Sequence, residues 1–342
     1  MTEVIENMAP LKTQYLPEEF VDREEEAAAL KSAFSNITET SSRNLHIYGP
    51  RGTGKTHLTH SKLEELPDQV NTCFILCSRH DTEYKALKQI YQEVTREQIS
   101  SGYHVSDLQR RIEERTGATE TVVVLDEVDF LLLNDGDSLL YYLSRIENPE
   151  KLNIITISSN HSQLPLEERT KSSLQPQQVK FPLYTGEELY EILRERAESS
   201  LISRSVHRNA LTYIASKTSN AKHGLHLLQT AARQTGDIID EGLIKEIQDH
   251  AYQKYVNELL EPFTEHHIQL HQAIEELAEE HGDAIRSGNI YSRYQERCGE
   301  DALSQRRISD YLKHLELLNL IKADYHYGGK KGKTREIQPV NL

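Results

Sequence analysis

The chain has 342 residues, of which 37% are hydrophobic and 27% are charged, and its formal net charge is −15. This length suggests two or three domains, and no apolar stretch approaches the 18 or so residues that a membrane helix needs. Three cysteines are too few for a disulfide framework and fit a reducing interior. The N-terminal sequence lacks the basic start and apolar stretch of a secretory signal. We therefore expect a cytoplasmic protein with enough apolar material for packed cores.

The charge is distributed unevenly along the chain. Residues 303–342 carry eight basic and four acidic side chains, a net charge of +4, so residues 1–302 carry −19. A strongly acidic body repels phosphate backbones at long range. A basic C-terminal end on such a body is typical of a nucleic-acid contact, and an ordinary solvated face is the alternative.

Strand and helix patterns alternate in the first half of the chain. A short helix is predicted in the charged segment at 23–34. Apolar, β-branched runs predict strands at 44–48, 72–76, 121–125 and 152–158, and helical patterns lie between them at 55–66, 83–95, 105–115 and 137–146. This alternation predicts an α/β fold with a parallel, doubly wound sheet.

The strand signal stops after about residue 181. Helical patterns at 186–198, 208–217, 224–234 and 240–256 predict a separate helical domain. Beyond Pro262, three helical stretches at 264–281, 287–297 and 304–318 precede two strand-like runs at 321–327 and 334–340. Three helices followed by a hairpin is the order of a winged helix.

A phosphate-binding pattern, G-x-x-x-x-G-K-[ST], lies directly after the first predicted strand and opens a helical stretch. The matching residues are Gly49, Pro50, Arg51, Gly52, Thr53, Gly54, Lys55 and Thr56. Glycines let backbone N–H groups surround a phosphate, and a helix N-terminus favours negative charge. We expect Lys55 to neutralise the outer phosphates of ATP and Thr56 to bind Mg²⁺, with His57 as a further nucleotide contact.

A second pattern supports the first. The apolar strand at 121–125 ends in Asp126 and Glu127, at the edge where parallel sheets bind ligands. We expect Asp126 to hold Mg²⁺, together with Thr56, and Glu127 to orient and deprotonate the attacking water. Asn160, at the end of the fourth strand, is a candidate for holding the water or the γ-phosphate, and a turn-forming role is the alternative. Asp129 is expected to cap the next helix.

Several segments together resemble a known family, the archaeal AAA+ initiators of the origin-recognition-complex/cell-division-cycle (Orc/Cdc) type. They are the Asp-Glu strand, the Ser-Ser-Asn strand tip, the opening YLPEEFVDREEE and the stretch ERTKSSLQPQQVKFPLYTGEELYEILRERA. The resemblance covers roughly residues 10–340. It implies an AAA+ P-loop ATPase with a parallel sheet, a helical lid and a C-terminal winged helix. The expected domains are an N-terminal arm and first helix (1–43), the α/β core (44–183), the lid (184–258) and the winged helix (259–342).

The resemblance also implies roles for individual residues. The arm at 15–23 would lie near the adenine, and Tyr184 and Arg196 match positions that contact the nucleotide. Arg169 would reach the γ-phosphate of a neighbouring subunit, although the Asp-Pro that usually precedes this arginine is missing. Lys222 replaces the sensing arginine of the lid motif, and lysine lacks the bidentate fork. The resemblance therefore implies catalytic roles for Arg169 and Lys222, with weak hydrolysis.

The DNA contacts are predicted in the winged helix. Its third helix enters the major groove, and its hairpin wing reaches the backbone or the minor groove. The helix starts with Ser304, Gln305, Arg306 and Arg307, whose side chains suit phosphate and base edges. The predicted wing contacts are Lys330, Lys331, Lys333 and Arg335.

Three functions remain open from the sequence. The first is an ATP-dependent initiator that recognises double-stranded origin DNA, helps load the replicative helicase and associates with other protomers, with slow hydrolysis as a switch. The second is an ATP-binding DNA regulator with little turnover, which Lys222 favours. The third is a helicase-loader ATPase that acts through protein contacts, which the basic wing disfavours. None of the three involves a membrane.

Overall fold

The structure is a computed structural model that describes residues 4–35, 44–99, 102–159, 162–282, 284–327 and 333–340. The chain divides into two compact units, Met1–Ala251 and Tyr252–Leu342. The predicted α/β core and lid therefore lie in one unit, and the second unit begins seven residues before the predicted winged-helix boundary. The four-part division at 43, 183 and 258 stays a prediction.

A five-stranded parallel sheet forms the centre of the first unit, with the strand order β2-β3-β4-β1-β5. The strands are β1 (Leu45–Tyr48), β2 (Asn71–Leu76), β3 (Thr121–Asp126), β4 (Leu152–Ser158) and β5 (Gln177–Lys180). Every residue of β3 and β4 is buried, as expected for central strands with helices on both faces. The predicted parallel α/β fold is confirmed.

The fifth strand was not predicted. β5 has the sequence Gln-Gln-Val-Lys, and only Val179 is buried. It pairs with β1 alone, at the edge of the sheet. An edge strand needs no continuous apolar run, so the signal that revealed the central strands is absent here.

Seven helices accompany this sheet in the described part of the first unit. They are α1 (Glu24–Ser35), α2 (Lys55–Glu64), α3 (Glu83–Thr95), α4 (Val105–Thr116), α5 (Val128–Asp135), α6 (Ser138–Leu143) and α7 (Glu168–Leu174). The side chains of β3 alternate between two cores because successive residues of a strand point to opposite faces. Val122 and Val124 pack with α1 and α2, whereas Val123 and Leu125 pack with α3 and α4. These two layers fix the strand ends at which the candidate site lies.

The lid helices complete the first unit. They are α8 (Gly186–Glu198), α9 (Arg208–Lys217), α10 (Ala221–Gln234) and α11 (Glu241–Leu260), and α11 contains the boundary between the units. Their apolar faces form a third core, which also buries Val4 and Leu11 of the N-terminal arm. The arm is thereby fixed against the lid helices.

The second unit has the element order of a winged helix, as predicted. It contains α12 (Glu265–His281), β6 (Ile285–Arg286), α13 (Ser287–Cys298), α14 (Gln305–Leu317), β7 (Ile321–Tyr327) and β8 (Lys333–Pro339). β7 and β8 form an antiparallel hairpin, and the two-residue strand β6, which was not predicted, pairs with β8. Ile290, Ile308, Leu315 and Ile337 are buried and form part of the core of this unit.

Across the described residues, no helix combines the length and the apolar character needed to cross a bilayer.

Candidate functional site

The phosphate-binding pattern forms a tight loop between β1 and α2. Gly49, Gly52 and Gly54 all have positive φ angles, of 149°, 74° and 91°. A Cβ atom would lie 2.1 Å from Phe181 O at Gly49 and 1.9 Å from Asn220 Oδ1 at Gly52. Glycine is therefore required by both the backbone conformation and the space.

Lys55 is the first residue of α2 and is buried at the centre of this loop. Its Nζ donates hydrogen bonds to Gly49 O at 2.7 Å and to Pro50 O at 2.6 Å. Burial, and then the nearby Arg51 charge, lower the pKa of Lys55 to about 8. The lysine is thus confined to the concave side of the loop, where an added anion would stabilise its charge.

The hydroxyl of Thr56 reaches the end of β3. Thr56 Oγ1 donates a hydrogen bond to Asp126 Oδ2 at 2.9 Å, and Asp126 Oδ1 accepts one from the Glu127 amide. Burial, and then the charge of Glu127, raise the pKa of Asp126 to about 6. The structure therefore places a hydroxyl and a carboxylate together, which are the oxygen ligands that Mg²⁺ prefers.

Glu127 stands between β3 and α5 in the left-handed region, with φ 54° and ψ 41°. Its Oε1 accepts a hydrogen bond from Arg51 Nη1 at 2.5 Å. Burial acts to raise the pKa of Glu127, but the Arg51 guanidinium, with smaller contributions from the Ser78 side chain and Lys222, holds that pKa below its ordinary value. Both basic side chains therefore lie near the predicted catalytic carboxylate.

Asp129 has a different role from the predicted one. Its carboxylate accepts hydrogen bonds from Ser158 Oγ at 2.8 Å and from the Ser159 amide at 3.0 Å. It lies within the first turn of α5, whose N-cap is Glu127, so the predicted capping role is wrong. Asp129 instead fixes the tip of β4. Asn160, which follows that tip, lies outside the described residues, so its role stays a prediction.

The N-terminal arm is held against α2 and α8 by two predicted nucleotide contacts. Arg196 donates to Pro10 O and to Tyr15 O, at 3.4 and 3.3 Å, and lies 4.7 Å from the centroid of the Tyr15 ring. His57 Nε2 donates to Thr13 O at 2.6 Å. Both residues contact the arm, and their predicted contact with a nucleotide stays a prediction.

Arg23 was predicted as the end of the arm and the start of a short helix, but it is one of the most buried side chains, 1% exposed. It donates to Thr53 O in the loop at 3.2 Å and to Pro182 O at 3.0 Å. Its guanidinium lies 4.1 Å from the centroid of the Tyr184 ring. Tyr184 in turn has its hydroxyl close to Gly54. Arg23 lies in a charged segment, so no sequence signal pointed to this burial.

The lid touches the loop directly at the start of α10. Ala221 N donates to Gly52 O at 3.1 Å, and the Asn220 side chain, which caps α10, packs against Gly52. Lys222 follows in the first turn of the same helix. Lys222 is therefore brought close to the loop, and its predicted catalytic role stays a prediction.

Arg169 lies in an exposed position. Its side chain is 55% exposed, pairs with Glu167 at 2.8 Å and lies 4.7 Å from the centroid of the Tyr141 ring. The structure does not place it among the residues around Lys55. Its predicted contact with a neighbouring subunit requires this exposure and stays a prediction.

The loop fits a triphosphate and the oxygen pair fits Mg²⁺. Three positive-φ glycines let the loop turn tightly against Phe181, Asn220 and Tyr184, and Lys55 lies inside the curve. Thr56 and Asp126 supply hard oxygen ligands on the adjoining helix and strand. The residues present therefore fit a phosphate chain with Mg²⁺ at Thr56 and Asp126, and the Glu127 carboxylate lies next to Asp126, paired with Arg51.

The start of α14 is exposed in the way a nucleic-acid contact requires. Ser304, Gln305, Arg306 and Arg307 are all exposed. Ile308, Leu312 and Leu315 are buried on the other face of the helix. The helix is thus anchored through its apolar face and presents two arginines and a glutamine to solvent.

Only part of the wing belongs to the described residues. Lys330 and Lys331 lie outside the described residues, and Lys333 begins β8, without a described side chain. Arg335 is 8% exposed, lies 3.7 Å from Glu316 in an ion pair and donates to Ser309 O at 3.5 Å. These contacts tie β8 to α14, so a structural role accounts for Arg335 and the predicted DNA contact has no support from its position.

Two family models match the chain. The AAA ATPase domain model matches residues 19–157, and the CDC6 C-terminal winged helix domain model matches residues 258–340. These ranges contain β1 to β3, all but the last residue of β4, the phosphate-binding loop and all the elements of the second unit from α12 onwards.

Whole-chain comparisons give the same result. The ORC1-type DNA replication protein of Methanosphaera stadtmanae is 29% identical, and the alignment covers 96% of this chain and 90% of the relative. For ORC1-type DNA replication protein 1 of Methanothermobacter thermautotrophicus these values are 28%, 96% and 91%. A solved structure of the Aeropyrum pernix ORC1 protein in complex with DNA superposes with a TM-score of 0.77 at 25% identity, covering 99% of this chain and 94% of that one. The chain therefore combines an AAA ATPase domain with a CDC6-type winged helix, and it is similar over nearly its whole length to archaeal ORC1-type DNA replication proteins.

Proposed function

We propose that this protein is a cytoplasmic, ATP-dependent replication initiator, which recognises origin DNA and helps load the replicative helicase. The observation that carries the proposal is the presence, in one chain, of an assembled phosphate-binding site and an exposed arginine-bearing recognition helix. Relatives named ORC1-type DNA replication proteins, aligned over nearly the whole chain, support the same function.

ATP would bind with its phosphates in the loop between β1 and α2. Lys55, now bonded to the carbonyl oxygens of Gly49 and Pro50, would exchange these bonds for phosphate oxygens. The helix N-terminus and the backbone N–H groups of the loop add further favourable charge. The adenine would lie beside the arm, near Tyr15, His57 and Arg196; His57 donates to Thr13 O and Arg196 donates to Tyr15 O.

Hydrolysis would use the carboxylate of Glu127 as the general base for the attacking water. Thr56 and Asp126 would hold Mg²⁺, which neutralises charge on the phosphate oxygens when bound. Asp129 fixes the tip of β4 and would therefore position the segment that carries Asn160. We infer that turnover is slow, because the lid supplies Lys222 where the family has an arginine.

DNA would be bound by the start of α14 in the major groove. Arg306 and Arg307 can each make bidentate contacts with guanine, and Gln305 with adenine. Ser304 at the helix start suits a phosphate. The net charge of +4 over residues 303–342 favours binding to a polyanion, while the acidic remainder of the chain limits non-specific contacts.

The lid supplies the element that can respond to the nucleotide. The first residue of α10, Ala221, donates a hydrogen bond to Gly52 O in the loop. A change in the loop on phosphate binding would therefore act directly on this helix. We infer that DNA affinity depends on the bound nucleotide through the lid. A low-turnover DNA-binding regulator is the second candidate, favoured by Lys222 alone.

A genome-wide footprint of the protein in its own cells separates these functions. Enrichment at a replication-start locus is the expected result for an initiator. Enrichment at many promoters would favour the regulator, and the absence of any DNA enrichment would favour the helicase loader acting through protein contacts.

A further inference from the structure

We propose that Arg51 is a positioning residue for Glu127, which it restrains until the phosphates of ATP compete for its guanidinium. The inference rests on the proposed ATPase function of the same site. It concerns a residue that the phosphate-binding pattern leaves unspecified, since any amino acid can occupy this position of the motif.

The first observation is the ion pair itself. Arg51 belongs to the loop after β1, and Glu127 lies 76 residues later, after β3. Arg51 Nη1 lies 2.5 Å from Glu127 Oε1, with side chains only 13% and 18% exposed. A charge-assisted hydrogen bond with this little solvent is among the stronger polar contacts in proteins.

The second observation is the backbone of Glu127. Its left-handed conformation, φ 54° and ψ 41°, is unfavourable for a residue with a side chain and persists only where the surroundings enforce it. The Glu127 amide donates to its neighbour Asp126, and its side chain is held by Arg51. Both ends of the residue are therefore fixed before any nucleotide is present.

The third observation is the state of the two loop cations. Lys55 donates hydrogen bonds to two carbonyl oxygens of the loop, and Arg51 donates one to the Glu127 carboxylate. A triphosphate brings several negative charges into this loop and attracts both cations. Lys55 can turn to a phosphate by giving up two backbone acceptors, whereas Arg51 would turn to it at the expense of its bond to the Glu127 carboxylate.

The structure thus assigns Arg51 a role that depends on the nucleotide. Without ATP it holds the carboxylate on the loop, away from any water that it would activate. With ATP it turns towards the phosphates and leaves Glu127 available to the attacking water. Arg51 does not itself take part in proton transfer.

A double-mutant cycle on thermal unfolding of the full chain tests this assignment. The variants are Arg51→Gln, Glu127→Gln and the double substitution, each with and without a non-hydrolysable ATP analogue and Mg²⁺. In the nucleotide-free protein each single substitution should lower the Tm by roughly 2–4 °C, and the double substitution should lower it no further than one of them. With the analogue bound, the effects of the two substitutions should become additive.

Two further variants make the result specific. Arg51→Lys keeps the charge and should retain part of the non-additivity without nucleotide. Lys62→Gln removes another cation, which lies in α2 and pairs with Glu65. Its effect on the Tm should be additive with that of Glu127→Gln, both with and without the analogue.

The outcomes separate this inference from the proposed function. Additive effects in the nucleotide-free protein would overturn the inference, because the pair would then carry no coupling. An analogue that binds but leaves the non-additivity unchanged would overturn the inference alone. Failure of the wild-type protein to bind the analogue would overturn both the inference and the proposed function.

Discussion

Thr56 Oγ1 donates a hydrogen bond to Asp126 Oδ2 at 2.9 Å and so joins the first turn of α2 to the end of β3. The two residues are 70 positions apart in the sequence. Their contact brings the phosphate-binding loop and the acidic strand end into one site. Lys55 precedes Thr56 and Glu127 follows Asp126, so this contact also brings the two predicted ATP-binding and catalytic residues into the same site.

Replacing the predicted base is the first test. Glu127→Gln should retain ATP binding, because Lys55, Thr56 and Asp126 are unchanged, and should lower kcat by roughly 10²–10⁴-fold. Phosphate release measured at saturating ATP gives kcat, and equilibrium titration with a fluorescent ATP analogue gives affinity. Glu65→Gln, a substitution after the end of α2, is the matched control. Turnover equal to that of the wild-type protein would contradict the assignment of the base.

The recognition helix is tested by removing its two exposed arginines. Arg306→Ala with Arg307→Ala should weaken duplex binding and reduce the slope of log affinity against log salt by up to about two, because each arginine on a phosphate releases about one ion. Fluorescence anisotropy over a salt series measures both quantities. Lys313→Ala, on the same helix and paired with Asp310, should change them little. An unaltered affinity and slope in the double variant would show that α14 does not bind DNA.

Arg23 provides a test of the contacts that join the arm to the phosphate-binding loop and to Pro182, which precedes the lid helices. Arg23→Lys cannot keep the hydrogen bonds to both Thr53 O and Pro182 O, so we expect a loss of about 1–3 kcal/mol in unfolding free energy. ATP affinity should fall as well, because Thr53 belongs to the phosphate-binding loop. Urea unfolding and nucleotide titration measure these effects, with the exposed Arg194→Lys as control. Wild-type values for both quantities would show that the buried guanidinium is dispensable.

The winged-helix unit should lose stability in acid because of His267. This side chain is 3% exposed and shares hydrogen bonds of 3.0 Å with His314 and with Thr264. Tyr311 stacks on its ring at 3.8 Å and Phe263 lies at 5.0 Å. Burial, and then the nearby His314, lower the pKa of His267 to about 3.

The sign follows from this lowered pKa. In the folded protein His267 stays neutral. In the unfolded chain the same histidine takes up a proton below the ordinary histidine pKa of about 6.5. Stability is therefore fully present above about pH 6.5 and falls by up to about 1.4 kcal/mol per pH unit below it, until the folded pKa is reached. Amide hydrogen exchange in α12 and α14, corrected for the intrinsic pH dependence of exchange, measures this loss. His267→Leu should flatten the dependence and the exposed His281→Gln should not; equal slopes in all three proteins would contradict the prediction.

Much of the fold could be predicted because its signals are local. The central strands are apolar runs, and α3, α8 and α9 have the predicted bounds because their polar and apolar residues follow the helical period. The glycines of the loop and the Asp126-Glu127 pair were found from spacing and from position after a strand. β5 was missed because only Val179 of its four residues is buried.

Other features could not be predicted because they depend on contacts distant in sequence. The Arg51–Glu127 pair and the bond of Arg23 to Pro182 join residues 76 and 159 positions apart. The charge of Arg335 suggested a solvent-exposed DNA contact, yet its side chain is buried against α14. Asp129 was expected to cap a helix, but the tip of β4 offers it two donors that a sequence pattern does not reveal.

The most direct test of the account is the affinity for a duplex taken from beside the protein's own gene, with and without a non-hydrolysable ATP analogue and Mg²⁺. We predict that the analogue changes the affinity of the wild-type protein by about 5-fold or more. Lys55→Ala should show no such change, because its loop cannot hold the phosphates. A wild-type affinity that is the same in both conditions would contradict the central claim that nucleotide binding governs DNA binding.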